Sequence, residues 1–287
     1  MKGESGLIQK QSIDWQAVLP AHQYIASSNL VTMLELAIAM GRPLLLEGPP
    51  GSGKTSLAHA VAQALNTDLI RLQCFEGMDV THALYDWNYH KQFAALSHTA
   101  DTDVFSPEYL LARPLLQALQ AERGAVLLID EVDRADEAME ALLLEYLGEW
   151  QVTIPEWKTV TAHIQPVTIL TSNRTRPLGD ALRRRCLYVY LPYPDLAQEL
   201  QMVHTHISDI MDEDALRIVQ AVHQLRTWPL SKPPGVAETL DWCMAWCLSA
   251  GTWNPSWVES TLGCVIKDEL DLQWVKERME NLLAGFT

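Results

Sequence analysis

The segment Gly48-Pro49-Pro50-Gly51-Ser52-Gly53-Lys54-Thr55-Ser56 joins flexible glycines to one cation and a set of hydroxyls. Its spacing is Gly-x-x-x-x-Gly-Lys-Thr, in which the curled backbone turns successive N–H groups toward phosphate oxygens. A helix starting near Gly53 adds the positive end of its dipole at the same place. Lys54 can reach the β- and γ-phosphates, and the Thr55 hydroxyl can ligate Mg²⁺. Such a loop needs a strand before it and a helix after it, and residues 43–47 and 52–65 have those patterns. A Gly/Pro-rich turn before an ordinary helix explains less of this. The chemistry implied is capture of ATP or GTP.

Hydrolysis needs acids beside such a loop. Asp130 and Glu131 end the most apolar run of the chain, residues 125–129. In open α/β sheets ligands gather at the carboxyl ends of strands, which would bring both acids toward the phosphates. Asp130 is suited to hold Mg²⁺ and Glu131 to polarise the attacking water. As a bare pair they could equally cap the next helix; the phosphate loop tips the balance. Asn173 ends the following strand, where a neutral amide can orient water and sense the γ-phosphate, although turn-forming is a common role for asparagine. Arg183, Arg184 and Arg185 precede the last strand. They read either as a solvated helix end or as the source of an arginine that reaches a neighbouring subunit's γ-phosphate.

The elements that must position these residues follow from apolar patterning. Residues 29–40 predict a helix capped by Asn29 and stopped by Gly41. Strands are expected at 43–47, 68–73, 125–129, 167–171 and 187–191, with helices at 109–121 and 137–147 between them. Residues 151–162 predict a hairpin, and residues 75–108, polar and aromatic by turns, an insertion. Strands alternating with helices imply an α/β core of three layers around a parallel sheet of about five strands. After Pro192-Tyr193-Pro194 the pattern is helical alone, at about 195–208, 214–227, 236–249, 255–266 and 269–284. The expected division is a loose leader over 1–20, an α/β core over 21–194 and an all-α lid over 195–287.

Bulk properties narrow the class further. In 287 residues there are 36 acidic and 21 basic side chains, a formal net charge of −15. That balance disfavours nucleic acid as the main ligand, because phosphate backbones need clustered positive charge. No apolar run approaches a membrane span, and residues 1–4 lack the apolar stretch of a signal peptide. Five scattered cysteines are expected as core thiols in a reducing cytoplasm. His204 and His206 share no helix face and predict no metal site.

With these pieces in order, the chain resembles the AAA+ ATPases, and more narrowly the MoxR family. The resemblance rests on RPLLLEGPPGSGKT, RLQCFEGMDV, ERGAVLLIDEVDRAD, LLLEY, QVTIPE, TSNRTR, ALRRRCLYVYLPYPD and SKPPGVAETLDW, and runs from Tyr24 to the C-terminus. The nearest branch is the one linked with carbon monoxide dehydrogenase maturation and with partners carrying a von Willebrand A domain. The resemblance implies an Mg²⁺-dependent ATPase, a hexameric ring with ATP between subunits, and work on client proteins: remodelling, activation or metal insertion. A nucleotide-gated scaffold with little hydrolysis and a nucleic-acid motor are the alternatives. By resemblance Lys54 and Thr55 belong to Walker A, Asp130 and Glu131 to Walker B, and Asn173 to sensor 1. The arginine-finger position matches Arg185, with Arg184 as second choice. Many AAA+ proteins carry a second sensing arginine where this chain reads Lys232-Pro233-Pro234-Gly235-Val236. Lys232 lacks the two-pronged contact of a guanidinium.

Overall fold

Apolar runs buried on both faces belong inside a parallel sheet, where crossover helices cover each side. The computed structural model describes residues 6–7, 13–98, 103–155, 157–249 and 254–284, and the central strands of its main sheet are such runs. The strands are β1 (Leu44–Glu47), β2 (Asp68–Gln73), β3 (Ala125–Asp130), β4 (Val167–Ser172) and β5 (Leu187–Tyr190). Their order is β5-β1-β4-β3-β2 and every pairing is parallel. All of β1 and β3 is buried. The fold is the expected α/β class with a parallel five-stranded sheet.

The chain divides into two compact units. One comprises Met1–His22, Ala26–Glu47 and Lys54–Tyr190; the other comprises Gln23–Ile25, Gly48–Gly53 and Leu191–Thr287. In the first, helices α1 (Ser28–Met40), α2 (Lys54–Leu65), α3 (Pro114–Gln120), α4 (Glu137–Glu149) and α5 (Asp180–Arg185) accompany the sheet. Leu45, Leu127, Ile129 and Leu170 of the sheet share a core with Leu115, Leu119, Leu143 and Tyr146 of the helices. The Tyr146 hydroxyl donates to the Leu115 carbonyl at 2.9 Å, so this buried polar group is satisfied. The second unit, among the described residues, is helical. Its α6 (Leu196–His206), α7 (Asp212–Thr227) and α8 (Val236–Ser249) enclose Val203, Ile218, Val222 and Trp242.

Several local expectations change. Where described, residues 1–20 are not a loose leader. Gly6–Leu7 pairs in parallel with Ile164–Gln165, and Trp15–Ala21 is a helix that buries Trp15 and Leu19. The seven-residue helix is too short to show a period. α1 is capped by Ser27 rather than Asn29, the Ser27 hydroxyl accepting from the Leu30 amide at 3.3 Å. Helix was expected from residue 109, yet Leu110–Ala112 is a strand pairing antiparallel with Tyr85–Trp87, and α3 starts only at Pro114. Proline at the first helical position fixes that start. The hairpin pairs Gln151–Thr153 with Thr159–Thr161. The final expected helix breaks into Glu269–Lys276 and Met279–Ala284. Among the described residues no helix is long and apolar enough to cross a membrane, and no group of acids, histidines and cysteines could hold a metal by itself.

Candidate functional site

In the first unit the predicted acids, amide and cation meet at the carboxyl ends of β3 and β4. Asp130 is the last residue of β3 and only 4% exposed. Its Oδ1 accepts from the Thr55 hydroxyl at 3.2 Å and also from the Thr171 hydroxyl. Its Oδ2 accepts from Arg71, whose Nε lies 3.1 Å away. A buried carboxylate must be paired and hydrogen-bonded in this way to be tolerated. The Thr55 hydroxyl and the Asp130 carboxylate form a hard-oxygen pair of the type Mg²⁺ takes.

Glu131 occupies left-handed backbone, φ 53° and ψ 47°. For a non-glycine residue this costs roughly 1–3 kcal/mol and persists only where neighbours enforce it. The enforcing bonds are the Glu131 amide to the Thr171 hydroxyl, 2.9 Å, and the Arg134 amide to the Glu131 carbonyl, 2.9 Å. The carboxylate is held from three sides. Gln73 Nε2 donates to Oε2 at 3.0 Å, Arg134 Nε stands 3.0 Å from the same oxygen, and Asn173 Nδ2 is 3.5 Å from Oε1. Asn173 is in turn fixed through its amide to Asp133 Oδ1 at 3.3 Å. Asp133 also receives the Thr175 amide and hydroxyl, at 2.8 and 2.7 Å, which ties the turn after β4 to the turn after β3. Lys54 is buried. Desolvation lowers the pKa of its ammonium, while Asp133, Asp130 and Glu131 oppose that shift and keep positive charge favourable.

The structure therefore brings together Lys54, Thr55, Asp130, Glu131 and Asn173. Ser56 is exposed on the first turn of α2. The sequence reading missed Arg71, Gln73, Asp133, Arg134 and Thr171. Parallel register sets Gln73 beside Asp130, a pairing that residue spacing does not reveal. The three arginines differ. Arg183 turns toward Glu47 of the same chain, 3.8 Å away, and lies over the Tyr188 ring. Glu47 is buried and also accepts from the Tyr188 hydroxyl at 3.0 Å. The Arg185 guanidinium lies over Gly148. Arg184 and Arg185 are both exposed on the last turn of α5.

The phosphate-loop segment Gly48–Gly53 falls in the second unit, where its packing explains its glycines. Gly51 has φ 74°, and a Cβ on it would come within 2.7 Å of the Gly235 Cα. A Cβ on Gly48 would strike the Leu191 carbonyl, with the Ser52 hydroxyl beside it. Pro49 is half-buried and Pro50 exposed, and Gly53 packs near the Tyr24 ring. The Val236 amide, at the start of α8, donates to the Gly51 carbonyl at 3.0 Å. Lys232, at the position where many AAA+ proteins carry a sensing arginine, is bonded within the second unit. Its Nζ is 3.4 Å from Asp268 and its amide donates to Asp271. The Pro234 carbonyl before Gly235 accepts from Arg226 Nε at 2.8 Å, and Arg226 forms a two-pronged pair with the fully buried Glu199.

Comparison with known proteins gives the family and the fold. The family model described as "ATPase family associated with various cellular activities (AAA)" matches residues 44–192. The chain is 27% identical over 212 residues to gas vesicle ATPase GvpN1 of Halobacterium salinarum, covering 69% of this chain and 60% of the relative. It is 26% identical over 225 residues to gas vesicle ATPase GvpN of Haloferax mediterranei, covering 72% and 64%. The chain thus spans less than two thirds of the length of either relative. A solved mutant of RuvB from Thermotoga maritima superposes with a TM-score of 0.51 at 22% identity, over 89% of this chain and 79% of RuvB, a likeness of fold. With the family match running through β1, β3 and β4, the chain belongs to the AAA family of ATPases.

Proposed function

We propose that this chain is an Mg²⁺-dependent ATPase whose nucleotide site is completed by a neighbouring copy in a hexameric ring. Residues 48–56 bind the phosphates, Lys54 neutralising charge and Thr55 with Asp130 holding Mg²⁺. Bound there, the metal supplies charge neutralisation at the phosphate oxygens. Glu131 is the base that orients water, Asn173 aligns it, and Arg185 or Arg184 reaches into the adjoining subunit. Coupled to partners such as a von Willebrand A-domain protein, the ring remodels or activates cytoplasmic client proteins, or helps insert metal into them. The observation that carries this reading is the cluster at the ends of β3 and β4. There a hard-oxygen pair, a triply held carboxylate on left-handed backbone and a buried lysine stand together, while Arg184 and Arg185 are exposed on α5. The ATPases named among the relatives support the hydrolytic part, and the MoxR resemblance supports the ring and the clients.

A second reading, a nucleotide-gated scaffold with slow turnover, draws on the occupancy of both Glu131 oxygens by Gln73, Arg134 and Asn173. The two readings separate by rate. Hydrolysis per subunit should rise with protein concentration as rings assemble, since assembly follows mass action. The measurement is a steady-state phosphate-release assay across a wide concentration range, with the same samples sized. A rate that stays flat while sizing records assembly would contradict a shared site, and no turnover at any concentration would favour the scaffold.

A further inference from the structure

Arg42, the first residue of the RPLLLEGPPGSGKT segment, has been given no role so far, yet its guanidinium is bonded to the arginine-bearing turn. Its Nη2 donates to the Arg184 carbonyl at 2.7 Å and the Cys186 carbonyl at 3.3 Å, and its Nε donates to the Arg185 carbonyl at 3.2 Å. Carbonyls in the last turn of a helix have no partner within it, and α5 ends at Arg185. A cation there is favoured by the helix dipole. A fourth guanidinium beside three others is electrostatically unfavourable, so the three carbonyl bonds are what hold it in place.

Arg42 is itself rigidly mounted. α1 ends at Gly41 with φ 61°, and the Arg42 amide donates to the Ala37 carbonyl at 2.9 Å. Gln165 packs against Gly41 and donates to its carbonyl. Two residues on, β1 begins, and the Leu187 amide donates to the Pro43 carbonyl at 2.8 Å. The other end of α5 is fixed as well, the Gly179 amide donating to the buried Glu140 at 2.9 Å. The helix that presents Arg184 and Arg185 is thus clamped at its start by a carboxylate and at its end by Arg42.

We propose that Arg42 is a positioning residue that locks the Arg184–Arg185 turn to the strand leading into the phosphate loop. This role rests on the shared-site reading. A displacement of about 1 Å in a catalytic group can cost about 10²-fold in rate. Arg42→Ala should therefore bind a fluorescent ATP analogue within about twofold of wild type while kcat falls roughly ten- to hundredfold and KM changes little. Arg42→Lys, which keeps charge but loses the fork, should fall between. Arg42→Gln serves as the replacement variant if Arg42→Ala fails to fold, with thermal melts of each reported alongside. The reading that a merely structural defect would not move is rescue in trans. Mixed with Glu131→Gln, which carries well-placed arginines, Arg42→Ala should regain turnover above either variant alone. Full kcat in both Arg42→Ala and Arg42→Gln, or loss without rescue while Arg185→Ala is rescued, would overturn the role of Arg42 alone. If Arg185→Ala and Arg184→Ala both keep full rate, the shared site fails and the role of Arg42 fails with it.

Discussion

Replacing Glu131 by glutamine should leave nucleotide binding within about twofold of wild type and lower hydrolysis on the order of 10²–10⁴-fold, the usual contribution of a positioned base. Glutamine has the same shape, and the left-handed backbone at residue 131 is held by main-chain and Thr171 bonds that the substitution does not touch. Arg134 loses its charge partner, but that pair is partly solvent-exposed and contributes little to stability. What disappears is the carboxylate able to take a proton from water. Isothermal titration with ATP and a phosphate-release assay check the two halves separately. Normal turnover in Glu131→Gln would remove Glu131 as the base.

Lys54→Ala should give the opposite pattern, with affinity lost first. Lys54 is 6% exposed and flanked by Asp130, Glu131 and Asp133, so its charge offsets three acids as well as the incoming phosphates. A charge-assisted hydrogen bond is worth about 1.5–3 kcal/mol, which corresponds to roughly ten- to hundredfold in affinity. Uncompensated acids beside the phosphates add to that loss. Titration of a fluorescent ATP analogue reads it directly. Unchanged affinity in Lys54→Ala would mean that the nucleotide binds elsewhere.

The sheet was legible in the sequence because its central strands are short, largely apolar runs with helix between each strand and the next. A run such as Ala125-Val126-Leu127-Leu128-Ile129 has no polar face and fits only a strand covered on both sides. Elements decided by tertiary pairing were not legible. Leu110–Ala112 reads as the start of a helix until Tyr85–Trp87 pairs with it, and Trp15–Ala21 contains an internal proline that hides a helix. Helix ends moved by a residue or more where a cap competed, as with Ser27 and Asn29.

The site was legible where its residues are contiguous and obscure where they converge. The phosphate loop and the Asp130-Glu131 pair announce themselves by order alone. Arg71 and Gln73 reach those acids only because β2 lies beside β3 in one particular register. Asp133 looks like one more acid in a charged turn, yet it is buried and binds the turn that carries Asn173. The three consecutive arginines are indistinguishable in sequence. Their surroundings separate them: Arg183 faces Glu47 of the same chain, and Arg185 lies over Gly148.

The central claim is that one subunit's arginine completes another's site, and mixing two dead variants tests it most directly. Arg185→Ala keeps Glu131 but lacks the arginine; Glu131→Gln keeps the arginine but lacks the base. In randomly mixed 1:1 rings roughly a quarter of the sites would pair an intact Glu131 with an intact Arg185 from the neighbour. The expected result is turnover in the mixture well above that of either variant alone, greatest near equal proportions. A mixture no faster than the average of its two components, in samples shown to form mixed rings, would contradict the account.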